Sequence, residues 1–208
     1  TPLTGKINKE ENLLVYQGLY QSLIMPIIQT IEIDMTKDLK FQAGNSDSFV
    51  NTANRLKASE QLNCLNYLKQ KFLSLNANKD IYLLFFLGNE SERAAGFAIL
   101  AQKVGVMLSN REQATLVHEG LHGLALHHTH MDYSSDSSTG LPVKPSVDIK
   151  KQPYMKYIFF YALPIANHPD FMGFEKATSN IMSYKKMTTD ERFDLWKWQW
   201  DILKKVAK

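Results

Sequence analysis

Apolar and polar residues alternate along IIQTIEIDM, residues 27–35, where Ile31, Ile33 and Met35 point one way and Glu32 and Asp34 the other. A period of two predicts a strand with one wet face. After a polar stretch rich in Gly, Asn and Ser the period lengthens. Leu65, Leu68, Phe72 and Leu75 recur at helical spacing and predict a long helix from about Phe49 to Asn76. IYLLFFLG, residues 81–88, is almost wholly apolar, as expected of a central strand covered on both faces. GFAIL at 96–100 and VGVML at 104–108 read as two further strands joined by a short link. Ser109 followed by Glu112 has the form of a capping box, so a helix is expected to start there, with Ala114, Val117, Leu121 and Leu124 as its apolar stripe. The succession predicts an α/β or α+β fold: a mixed, twisted sheet carrying a long helix and a second helix behind it.

Beyond that second helix, the Ser/Gly-rich DYSSDSSTG and the proline-marked LPVKPSVDIKKQPY read as surface loops. The chain closes on TTDERFDLWKWQWDILKK, where Thr188 and Glu191 form another capping box and Trp196, Trp198 and Trp200 are expected to pack from one helix.

Composition removes several classes of function. The 24 basic and 21 acidic side chains leave a formal charge of +3, and the basic residues are scattered, so nucleic acid is not an expected partner. The longest apolar run, YIFFYALPIA, falls far short of the roughly 20 residues that a membrane span needs. Cys64, the one cysteine, has no internal disulfide partner and reads as a small buried residue in LNCLNYL. The first residues do not have the pattern of a signal peptide, and a chain starting at Thr1 is compatible with a processed or excised fragment.

Chemistry concentrates in HEGLHGLALHHTH, residues 118–130, which holds five of the six histidines. On a helix His118 and His122, four apart, project from one face about one turn apart, the spacing that two ligands of one cation need. Glu119 sits about 100° round from His118, where it can flank a metal-bound water without being a ligand. His128 cannot join them on a continuing helix, because it would rise about 9 Å beyond His122 and point elsewhere. The chain must leave the helix between Leu124 and Leu126, and the exit residue needs positive φ. Glycine adopts that freely, whereas alanine at 125 costs roughly 1 to 2 kcal/mol. With His128 as third ligand, His127 and His130 are left as solvated or supporting residues. Three neutral imidazoles leave a tetrahedral zinc ion one open position, as in catalytic sites.

HExxHxxxxxH, together with SNIMSY at 179–184, resembles the metzincin clan of zinc metallopeptidases, with its HExxHxxGxxH signature and Met-turn. The resemblance covers residues 80–208 well and the first 80 loosely, and Ala125 departs from it where the clan has glycine. It implies a zincin-like fold in a single domain, 1–208. Residues 1–128 would form an upper subdomain with the sheet and active-site helix. Residues 129–208 would form a smaller, mostly irregular and helical lower one with the Met-turn and last helix. It implies zinc held by His118, His122 and His128, Glu119 as general base, Met182 beneath the metal, and Tyr184 as an oxyanion donor, as in astacin-like and serralysin-like members. IFFYALPIA and FMGF would line the specificity pocket.

The activity implied is a zinc-dependent endopeptidase, expected as a monomer with a protein or peptide substrate. LALHHT and WKWQWD are also weakly similar to zinc-peptidase domains of large bacterial secreted or toxin-like proteins, which implies action outside the cell. Two other readings stay open. One is a gluzincin arrangement with Glu175 as third ligand, and the other a zinc-stabilised peptide-binding module without turnover.

Overall fold

The computed structural model describes residues 5–75, 81–132, 134–135, 142–143, 150, 159–161, 180–182 and 194–206. It divides into two compact units, residues 1–126 with 201–208, and residues 127–200. Helices and a small mixed sheet make the fold α+β. No helix among the described residues is long and apolar enough to cross a membrane.

The first unit opens with α1 (Lys9–Tyr20), which Asn8 and Glu11 start through a reciprocal capping box. Its apolar residues are spread around the helix, so no clear stripe announces it in the sequence. The strand expected over 27–35 does not form: residues 24–35 have no ladder partner, and Ile27 and Ile31 are exposed. Ile33 and Met35 still pack against the core, so the alternation sorts these two correctly without a neighbour to bond to, while Ile31, expected on the same face, does not join them. The expected helix over 49–76 is also shorter. Asn51 caps a turn by accepting from the backbone of Ala53 and Arg55, a 3-10 turn follows at Ala58–Glu60, and α2 runs from Gln61 to Leu75.

Three strands follow: β1 (Leu83–Phe86), β2 (Gly96–Ile99) and β3 (Val104–Met107). Their order is β1-β3-β2, with β1 parallel and β2 antiparallel to β3. The expectation that 81–88 is the central strand is therefore corrected. Among the described residues β3 is central and buried throughout, while β1 lies at an edge and is half-buried from Leu84 to Phe86. Phe49, Leu56, Leu65, Leu68, Phe72, Val104 and Val106 form the core with Cys64, whose burial pushes its thiol pKa up to about 12. Helix α3 (Gln113–Gly123) packs against β2 and β3 and against α1.

In the second unit β4 (His130–Asp132) pairs in parallel with β7 (Phe159–Tyr161), and β5 (Ser134–Ser135) pairs with β6 (Pro142–Val143). A turn at Asn180–Met182 is held by side-chain amides: Asn180 donates to Gln199 at 2.8 Å, and Met182 N–H donates to Asn180 Oδ1 at 2.9 Å. Gln199 lies on the last helix, α4 (Lys197–Val206), which carries Trp198 and Trp200, with Trp196 just before it. The Thr188–Glu191 capping box, FMGF and nearly all of the two long loops lie outside the described residues.

Candidate metal centre

The histidine segment forms a helix that starts later than the Ser109–Glu112 pattern suggests. The N-cap is Glu112 itself, which makes no side-chain capping bond, while the backbone N–H of Ser109 donates to Asn89. The capping box is corrected because residues 109–112 form a turn and link and are not yet helical.

At the other end the chain leaves α3 by a Schellman turn. Leu126 N–H donates to the Leu121 carbonyl at 3.0 Å and Ala125 N–H to His122 at 2.9 Å, with Ala125 left-handed at φ 69°. The sequence requirement for a positive-φ exit between 124 and 126 is met at Ala125. The β2–β3 link adds two more donors at this helix end: Ala101 N–H also donates to the His122 carbonyl, and Lys103 N–H donates to that of Gly123. Tyr82 braces the same turn: its hydroxyl donates to the Gly120 carbonyl at 2.7 Å, and a Cβ on Gly123 would lie 1.8 Å from that oxygen. Gly123 is therefore required by close approach rather than by backbone conformation.

The turn sends the chain back toward the helix. His118 and His122 stand edge to face, ring centroids 4.8 Å apart and planes at 89°. His118 is buried, His122 and His128 are half-buried, and the ligand atoms of the three lie within 4.8 Å of one another. His122 Nδ1 lies 2.7 Å from the Leu126 carbonyl, the kind of contact that orients a ligating imidazole. The donors fit a metal ion: imidazole nitrogens converge, and one of them is already aimed by a backbone acceptor. The three histidines can therefore hold a metal ion. His127 is half-buried, and that burial lowers its pKa.

Glu119 is the one acid of this segment and is half-buried. Desolvation raises its pKa to about 7, opposed by a hydrogen bond from the Ala98 backbone on β2. Gly96 makes room for it, since a Cβ there would meet Glu119 Cγ at 3.2 Å and Thr115 Cγ2 at 2.9 Å.

Met182 is fully buried in the Asn180–Met182 turn, and its carbonyl accepts from Thr129 N–H at 3.2 Å. Tyr184 and Glu175 lie outside the described residues, as does the side chain of His130. Sequence reasoning missed the Leu126 carbonyl, Tyr82, and the Asn180–Gln199 amide pair. Of these only Asn180, inside NIMSY, and Gln199, the one neutral polar residue between two tryptophans, carried a signal. No family model matches the chain, and neither a curated protein nor a solved structure matches it.

Proposed function

We propose that the protein is a zinc-dependent endopeptidase that hydrolyses peptide bonds in a protein or peptide substrate. The observation carrying this reading is the left-handed exit at Ala125, beyond which the ligand atoms of His128, His118 and His122 fall within 4.8 Å of one another. These three would hold zinc, and three protein donors with one position left over is the catalytic rather than the structural pattern. Bound zinc supplies Lewis acidity, polarising a carbonyl and lowering the pKa of water. The chain's own residues do the rest. Glu119, one residue past His118, takes the proton released as the carbonyl carbon is attacked and returns it to the leaving amine. Tyr184 donates to the developing oxyanion, and Met182 packs beneath the ligands, both on the strength of the sequence resemblance.

Among the described residues β2 lies at an edge of its sheet, and Ala98 and Gly96 adjoin Glu119. An extended peptide adding to that edge by main-chain hydrogen bonds would carry its scissile bond past the carboxyl group.

The test is Glu119→Gln, assayed against a peptide library with zinc content measured in parallel. Retained zinc with a roughly hundredfold or greater loss of cleavage is expected. Undiminished cleavage would contradict the mechanism, and zinc binding with no cleavage by the wild type would favour a peptide-binding module.

A further inference from the structure

Helix α3 carries His118 and His122, two of the three histidines that can hold a metal ion, and its N-cap residue, Glu112, makes no side-chain capping hydrogen bond. In the first turn Thr115 N–H donates to the Glu112 carbonyl at 3.0 Å, so backbone bonding rather than the N-cap side chain marks where the helix starts. The residue just before the N-cap, Arg111, is by contrast tied on every side. Its Nε donates to Glu11 Oε1 and its Nη2 to Glu11 Oε2 at 3.0 Å. Nη1 donates to the Leu108 carbonyl at 2.9 Å, Nη2 to the Lys6 carbonyl at 2.6 Å, and the guanidinium lies 4.9 Å from the centre of the Phe86 ring. One side chain thus joins the N-terminal segment, α1, the end of β1 and the exit of β3 at the point where the chain enters α3.

Glu11 is itself immobilised. Its side chain is 1% exposed, and Oε2 also accepts from Asn8 N–H at 2.8 Å within the α1 capping box. A buried carboxylate without such partners would be strongly destabilising, so its two duties, capping α1 and gripping Arg111, are coupled. His118 follows Gln113, the first residue of α3, by five residues, less than two helical turns. A change in where α3 begins is carried along a rigid rod to the imidazoles.

We infer that Glu11 is a positioning residue for the metal centre, acting through Arg111: α1 clamps the β3–α3 link and sets the direction of the helix bearing His118, Glu119 and His122. The inference rests on the three histidines binding metal and not on peptide hydrolysis. A merely structural ion pair would lower overall stability and leave the folded protein's metal affinity alone. The Asp38–Lys71 pair, in the same unit with its lysine on α2 rather than α3, supplies that comparison.

The experiment measures zinc affinity by chelator competition, and backbone amide exchange in the metal-free protein, for wild type, Glu11→Gln, Arg111→Lys and Asp38→Asn. Glu11→Gln and Arg111→Lys are each expected to weaken zinc binding roughly tenfold and to speed exchange in the first turns of α3 more than in β3. Asp38→Asn should change neither. Should Glu11→Gln not fold, Arg111→Lys, which keeps a cation on the carboxylate but loses the two-pronged grip, carries the reading alone. Unchanged zinc affinity and exchange in the folded variants, or equal effects from Asp38→Asn, would overturn the inference. If the wild type binds no zinc, the metal reading fails separately, and selective exchange at α3 still decides the clamp.

Discussion

The Nδ1 atom of His122 lies 2.7 Å from the carbonyl oxygen of Leu126. A carbonyl only accepts, so Nδ1 must carry the proton, and the neutral ring then keeps its lone pair on Nε2. The same Schellman turn that redirects the chain therefore fixes the tautomer of a ligand. Nitrogen-detected NMR of the metal-free protein above pH 7 is expected to show His122 as the Nδ1–H tautomer. An Nε2–H tautomer would remove the orienting role of Leu126.

Ala125 holds a left-handed conformation at φ 69°. Ala125→Gly relieves strain of roughly 1 to 2 kcal/mol and gives back up to about 1 kcal/mol through the freer unfolded chain. Denaturant titration should find the variant neutral to about 1 kcal/mol more stable, with zinc affinity held. A β-branched residue tolerates that backbone less well, so Ala125→Val should destabilise and weaken zinc binding together. A clear loss of stability in Ala125→Gly would contradict the observed exit.

Asp38 gives a pH prediction away from the histidines. Burial works to raise its pKa, but hydrogen bonds from Lys71, from Tyr67 at 2.6 Å and from Lys40 N–H prevail and hold it below the usual carboxylate value. A depressed folded pKa means stability that is fully present above the unfolded value, about 3.9, and lost as pH falls through the folded one. Urea midpoints of the metal-free protein at pH 5, 4 and 3 should fall more steeply for wild type than for Asp38→Asn. Parallel curves would show that the pair contributes nothing to the acid limb.

Much of the site was legible because its geometry is local. The spacing of His118 and His122 and the need for an exit before His128 follow from helix parameters alone, and the left-handed residue is where that argument requires one. Long-range partners were not legible. Nothing near Glu11 marks it as the partner of Arg111, 100 residues on, and the Leu126 carbonyl could belong to any residue type. The alternation over 27–35 suggests which side chains turn inward, and Ile33 and Met35 do while Ile31 stays exposed, but a ladder depends on a neighbouring edge that no short-range pattern specifies. Ser109 and Glu112 match a capping box in letters, yet the helix begins after them because Arg111 is held in the link.

Zinc titration of wild type, His127→Ala and His128→Ala against a competing chelator tests the central claim most directly. About one zinc per wild-type chain is expected, with near-unchanged affinity in His127→Ala and a loss of roughly a hundredfold or more in His128→Ala. Equal affinity in wild type and His128→Ala, or a loss that follows His127 instead, would contradict that claim.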